Sequence, residues 1–552
     1  MMMIASRLPG CTSRSGHAAR EAFAGALAVM LLSASPGFAA PCEQLLILQI
    51  ADTTMSGAEA RPAGSFAPPT GAEISELPAF CRVRGVISPV PGSRVGFELW
   101  LPQAGWNGKL EMVGNGGYSS AIAYKAMGPL LRRGYATVAT DTGHTGDDPG
   151  FAIDRPEAIV DWGYRAVHVS IGVAKSVVAE FYGEAPKHSY FAGCSTGGHQ
   201  ALMEAQRYPA DFDGIIAGDP GNNRTHLNAG FLWQFVKNHR PDLSLIIPPL
   251  KLAAITDAVV KTCRGKDGGL PADNFLTDPE ACDFRAEQML CKQDDADDCL
   301  TQEQANALNA MYDGARDSRN GAQVYYGWPK GSENSARVLA ALPGWSLYWA
   351  DPIHPERPAR LNFWKVWAFP DTNWDWHRFD FGSAMKAVDD RLASEINAMS
   401  PDLSAFKAAG GKLIHYHGLA DPVVPPRDSI DYYERVEAMV SADKRADAGA
   451  DFYRLFLAPG LYQCEGGPGP NVLDTQVALE AWVENGEAPE TIGATKFRND
   501  RPSDGIEMSR PLCPYPKMAR YRGEGDPADA ANYACADGHR YPTPLPAAAY
   551  LR

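Results

Sequence analysis

Gly193-Cys194-Ser195-Thr196-Gly197-Gly198 lies between two contrasting stretches. Ser189-Tyr190-Phe191-Ala192 before it is β-like, and His199-Gln200-Ala201-Leu202-Met203-Glu204-Ala205 after it is patterned as a helix. A strand, a G-x-S-x-G turn and a helix make a nucleophile elbow. The turn lifts the serine hydroxyl clear of the sheet, and the flanking glycines let the chain turn sharply. Ser195 is therefore the candidate nucleophile. The N–H of Thr196, next in the chain, is a candidate oxyanion donor.

Around the elbow, strand-like and helix-like patterns alternate. Residues 95–101, 109–114 and 134–140 read as strands, 164–181 as a helix and 215–219 as the strand after the elbow helix. Such alternation implies an α/β chain with a parallel, doubly wound sheet. The stretch 109–114 runs into Asn115-Gly116-Gly117, which makes the Gly117 N–H a second oxyanion candidate. From 222 to 385 the alternation stops. This region carries four cysteines, the acidic turn 294–298 and eight tryptophans. It reads as a lid inserted into a hydrolase domain whose two parts are 40–221 and 386–552. The sheet pattern returns at 411–418 and leads to Asp421, then continues at 452–457. An acid in the loop after a late strand, following the serine in chain order, is where an α/β-hydrolase keeps its triad acid. Asp421 also suits a plain turn-capping role before Pro422.

Residues 1–39 have the form of a signal peptide: basic residues Arg7, Arg14 and Arg20, an apolar run over 22–32, and small residues before a cleavage point after Ala39. Without them the chain keeps 513 residues and a net charge of −17. Such acidity disfavours nucleic-acid binding. No later apolar run is long enough for a membrane helix. Ten of the eleven cysteines remain after Cys11 is lost, an even number that reads as disulfides in a secreted or periplasmic protein. Sequence alone leaves their pairing open.

Taken together, the elbow, the loop from His417-Gly418 to Asp421-Pro422, and Cys464-Glu465-Gly466-Gly467-Pro468-Gly469 resemble the tannase and feruloyl esterase family. The resemblance spans nearly the whole mature chain. It implies an α/β-hydrolase fold with a large inserted lid, and hydrolysis of a small aromatic-acid ester of feruloyl, galloyl or terephthalate type. It also implies the bridges Cys194–Cys464, Cys42–Cys81, Cys263–Cys282, Cys291–Cys299 and Cys513–Cys535. The family keeps a histidine beside the substrate at the position of His417. Its lid carries a calcium loop, whose ligand positions fall here on Asp267, Gly269, Asp273 and Phe275. Arg264, however, replaces the first aspartate, and two residues are inserted before Asp273.

One departure bears on catalysis. The family's triad histidine is Gln463 here. A glutamine amide donates and accepts hydrogen bonds but takes no proton near neutral pH. Three explanations stand open: another histidine (His417 or His144) serves as base; the chain is a catalytically impaired relative that binds aromatic esters or acids; or Gln463 is a variant or sequencing error.

Overall fold

The structure is a computed structural model that describes residues 41–334, 344–441 and 449–541. The expected signal segment 1–39 lies outside the described residues. A nine-stranded sheet organises the chain. Its strands are β1 (Thr53–Arg61), β2 (Phe80–Ile87), β3 (Val95–Pro102), β4 (Lys109–Val113), β5 (Ala136–Thr140), β6 (His188–Cys194), β7 (Gly214–Gly218), β8 (Lys412–Gly418) and β9 (Tyr453–Ala458). Their spatial order is β1-β2-β3-β5-β4-β6-β7-β8-β9.

The sheet is mixed, which corrects the all-parallel expectation. Strands β5, β4, β6, β7, β8 and β9 run parallel, while β1, β2 and β3 add an antiparallel edge ending against β5. The reason is connection length. Residues 88–94 between β2 and β3 are too few for a crossover, so only a hairpin fits.

Period-two alternation divides the sheet's apolar side chains between its faces. Leu99, Phe191 and Ile215 join one core with Val177 of helix α1 (Ala166–Tyr182) and Leu202 of helix α2 (Thr196–Arg207). Their neighbours Trp100, Tyr190 and Ile216 join another with Leu131, Leu479 and Trp482. Helices on both faces of a mostly parallel sheet are the layering of the α/β-hydrolase fold.

Between β7 and β8, residues 219–411 contribute no strand to this sheet among the described residues. They include helices α3 (Arg224–Asn238), α4 (Leu252–Cys263), α5 (Gln302–Asp313) and α6 (Ser383–Ile396). Most of this segment's tryptophans build one core: Trp328, Trp345, Trp349, Trp364 and Trp367 are buried. That core also takes in Tyr118, Trp162 and Val423 from outside the segment, so the insertion packs directly onto the loops at the sheet's end. After β9 come β10 (Ile492–Phe497) and β11 (Ile506–Leu512), then a ribbon of β12 (Lys517–Tyr521) and β13 (Tyr533–Asp537).

The antiparallel edge is pinned by a buried charge network. Arg82 on β2 donates to both oxygens of Glu98 on β3, at 2.7 and 2.8 Å. Trp100 Nε1 and the Tyr124 hydroxyl complete the carboxylate's shell at 2.7 and 2.9 Å. Removing Glu98 leaves the buried Arg82 guanidinium with only the partly exposed Glu59, at 3.2 Å. Glu98→Ala should therefore cost about 3–5 kcal/mol, read as a lower denaturant midpoint in urea unfolding.

Candidate active site

Strand β6 ends at Cys194 and helix α2 begins at Thr196, so Ser195 occupies the turn between them. Its backbone is strained, with φ 62° and ψ −117°. Packing around the turn requires glycine. A Cβ on Gly193 would stand 2.6 Å from the Gly197 carbonyl carbon, and one on Gly198 would stand 2.3 Å from Gly218 O. The Ser195 N–H donates to Gly218 O at 2.9 Å. The Ser195 hydroxyl is half-buried and makes no hydrogen bond among the described residues.

Two N–H groups near the serine are open to a ligand. Thr196 begins the helix and so has no intrahelical acceptor, and the Gly117 N–H also has no acceptor among the described residues. The two residues are tied together: the Thr196 hydroxyl donates to Gly117 O at 2.7 Å. Arg224 Nη2 donates to that same hydroxyl at 2.9 Å. Arg224 is buried, and its guanidinium lies 5.1 Å from the Trp162 ring centre and 5.8 Å from that of Tyr118. No carboxylate bonds to it among the described residues, and burial pushes its pKa down. Arg360 also lies against Tyr118, its guanidinium 5.2 Å from the ring centre. Both arginines escaped sequence analysis, since a single arginine at a helix start carries no motif.

Position 463 is carried to the serine by the disulfide Cys194–Cys464, whose Cα atoms are 5.8 Å apart. The other bridges are Cys42–Cys81, Cys263–Cys282, Cys291–Cys299 and Cys513–Cys535, the same pairs the family resemblance implies. Gln463 Nε2 donates to Asp219 O at 3.1 Å. Ser195 and Gln463 thus hydrogen-bond to consecutive carbonyls at the end of β7, those of Gly218 and Asp219. Gln463 is 3% exposed, and its Oε1 has no donor.

Beneath Gln463 lies a fully buried group of Asp219, His417 and Asp421. Asp219 accepts the N–H of Gly418 at 2.6 Å and of Cys464 at 2.8 Å. Asp421 Oδ1 accepts the N–H groups of Val423 and Val424 at 2.7 and 3.0 Å. Asp421 Oδ2 lies 3.2 Å from His417 Nε2, but that nitrogen also lies 3.0 Å from Val424 O. Alignment favours the carbonyl, and Oδ2 is left without a well-aligned donor.

Among the described residues neither His417 nor His144 hydrogen-bonds to Ser195. His417 Nδ1 is 2.6 Å from Ser429 Oγ, and the side chain is fully buried. It lies under the Asp421 loop, with both ring nitrogens engaged. His144 Nε2 contacts Tyr118 O at 2.5 Å and Nδ1 contacts Thr142 Oγ1 at 3.1 Å.

The calcium positions do not fit calcium. Asp267 Oδ1 accepts the Gly269 N–H at 3.1 Å, and Oδ2 accepts those of Thr277 and Asp278 at 2.5 and 3.3 Å. Asp273 faces Arg510 Nη2 at 3.4 Å and accepts the Leu270 N–H at 3.3 Å. Phe275 is buried and Gly269 sits in this same turn. Calcium asks for 6–8 oxygens. Here N–H donors and a guanidinium face the carboxylates.

The buried acid–imidazole group has a pH consequence. Burial pushes Asp219 up to about 7 and raises Asp421. Burial works to lower His417, but Asp421 and Asp219 together hold it above its ordinary value. All three groups keep protons to higher pH when folded than when unfolded. The contribution of the two carboxyl groups is full below their unfolded value of about 4 and is lost as pH rises, for Asp219 through about 7; that of His417 is full below about 6.5 and is lost above it. Melting temperatures of wild type and Asp219→Asn at pH 5, 6, 7 and 8 should show the wild type's relative stability falling steadily toward alkaline pH.

Comparison with known proteins places this geometry. The model of a family described as tannase and feruloyl esterase matches residues 81–536. An esterase of Xanthomonas campestris pv. campestris is 38% identical over 93% of this chain and 94% of its own length. The mono(2-hydroxyethyl) terephthalate hydrolase of Piscinibacter sakaiensis is 32% identical, covering 85% of this chain and 87% of its own. The crystal structure of feruloyl esterase B from Aspergillus oryzae superposes with a TM-score of 0.81 at 26% identity, over 90% of this chain and 99% of that one. With its elbow, its bridged half-cystines and a family match over most of its length, the chain belongs to the tannase and feruloyl esterase family of carboxylic ester hydrolases.

Proposed function

We propose that this chain is an exported serine hydrolase of aromatic-acid esters, of feruloyl, galloyl or terephthalate type, and that Gln463 leaves its chemical step without a general base. The observation that carries this reading is the bridge that brings position 463 to the elbow serine. The relatives' substrates, a feruloyl ester and a terephthalate monoester by their names, support the acyl class. Five disulfides support export, and no helix among the described residues is long and apolar enough to cross a membrane.

In this scheme the Ser195 oxygen bonds to the ester carbonyl carbon, and the carbonyl oxygen takes up the negative charge. The N–H groups of Gly117 and Thr196 receive it. The buried guanidinium of Arg224, fixed on the Thr196 hydroxyl, adds positive potential where that charge develops. Collapse breaks the ester C–O bond, the departing oxygen takes a proton from solvent, and water then hydrolyses the acyl-enzyme to the free acid and the Ser195 hydroxyl. Residues 222–385 act as the lid that covers the acyl group, through the aromatic core they share with Tyr118 and Trp162.

The serine proton is the difficulty. A histidine at 463 would take it and would give Asp421 Oδ2 the donor it lacks. Glutamine offers Oε1 only as a hydrogen-bond acceptor, so the proton passes to solvent and turnover is slow. The paired orphans, Gln463 Oε1 and Asp421 Oδ2, favour this impaired form of the activity over full catalysis.

Gln463→His should raise kcat/KM on model aryl esters by roughly 10²–10⁴-fold. A fluorophosphonate should label Ser195 rapidly in that variant and slowly in the wild type. An oxidised, folded Gln463→His protein with unchanged turnover and no label would show that position 463 is not the base position.

A further inference from the structure

The loop that the family resemblance assigns to calcium runs between the bonded Cys263 and Cys282 and packs against the C-terminal ribbon. Its carboxylates are already spent. Asp267 holds three backbone N–H groups of its own loop, and Asp273 faces Arg510. A second guanidinium, that of Arg520, lies so close to Gly268 that a Cβ there would stand 1.4 Å from its Nη1. Among the described residues that nitrogen is buried with no acceptor, and Nη2 reaches only Met518 Sδ, at 3.9 Å. Arg510 itself lies 4.4 Å from the Tyr533 ring centre. Asp267 is thus turned onto its own loop, and the carboxylate of Asp273 stands beside the two guanidiniums and the Lys517 ammonium.

Between this loop and the ribbon is a cavity of about 220 Å³, reached by both arginines and walled by Leu270, Phe275, Leu512, Met518 and Tyr533. An engineered apolar cavity of about 150 Å³ already admits benzene. Apolar walls with a few convergent polar groups are the usual make-up of a small-molecule site. A planar guanidinium lacking an acceptor is matched by a carboxylate, which accepts two parallel N–H bonds. Ser195, Thr196, Gly117 and Gln463 do not line this cavity, so it is distinct from the ester site.

We propose that this cavity is a second binding site, selective for a small aromatic carboxylate, and that a positively charged pocket stands in this chain where the family holds calcium. The aromatic ring lies among Phe275, Leu512 and Met518, and the carboxylate meets Arg520, with Arg510 held in place by Asp273. Ligand recognition then depends on charge and on the apolar walls together: a neutral isostere loses the guanidinium, and an inorganic anion loses the walls.

Thermal unfolding of the mature oxidised chain tests this, with benzoate, its neutral isostere benzamide, and calcium as probes. Millimolar benzoate should raise the melting temperature by roughly 1–3 °C, while benzamide and calcium leave it unchanged. The benzoate shift should vanish in Arg520→Gln. Met518→Trp, which fills the cavity and keeps both guanidiniums, should abolish it as well and serves if Arg520→Gln does not fold. A benzoate shift that survives either folded variant, equal shifts with benzamide, or no shift with benzoate would overturn the proposal. So would stoichiometric calcium in elemental analysis, or a melting temperature lowered by chelator.

Discussion

The bond between Cys194 and Cys464 is the constraint on which the site depends. It joins positions 270 residues apart. In the chain-entropy account, closing a loop of that length is worth on the order of 5 kcal/mol against the unfolded state. Its local effect matters more here. One sulfur belongs to the residue before the nucleophile and the other to the residue after position 463. Hydrogen bonds to Gly218 O and Asp219 O then fix both neighbours on the end of β7. The bridge resists any rotation of the loop at 463, which would also break the Gln463 bond to Asp219 O and the Cys464 N–H bond to Asp219.

Holding that corner requires a buried carboxylate. Asp219 takes N–H bonds from Gly418 and Cys464, on two separate segments, and so ties β7 to the end of β8 and to the bridge. Because it is buried beside Asp421, it keeps its proton to about pH 7, and His417 between the two acids partly offsets their repulsion. Two acids and one imidazole out of water form a tense arrangement, and such arrangements concentrate at functional sites. The amide at 463 leaves this corner intact, with its own Oε1 left without a donor among the described residues. On the proposed reading, the scaffold keeps the geometry of ester cleavage and lacks the group that moves the proton.

The loop at 264–278 shows a related exchange of parts. In place of a cation bound by carboxylates, backbone N–H groups and arginines from the C-terminal segment hold the same turns.

Much of this was legible in the sequence. Glycine spacing around Ser195, period-two apolar strands and the Ser-then-Asp order depend on local chemistry and chain order, and they identified the elbow, the core strands and the class of fold. Cysteine count and signal-like composition are equally local. Other features were decided only by tertiary structure. The antiparallel edge follows from which strands a short hairpin brings together. His417 and His144 look alike as titratable residues, yet both are locked by carbonyls and hydroxyls contributed by other segments. Arg224 carries no motif; it matters because folding brings it, without a carboxylate, onto the Thr196 hydroxyl. Asp267 and Asp273 sit at ligand spacing in the sequence, but what faces them comes from Thr277 and from Arg510, far along the chain. A residue's type fixes what it can donate, accept or titrate. Burial and the partners that distant segments supply fix which of those capacities remains free, and only the folded chain determines them.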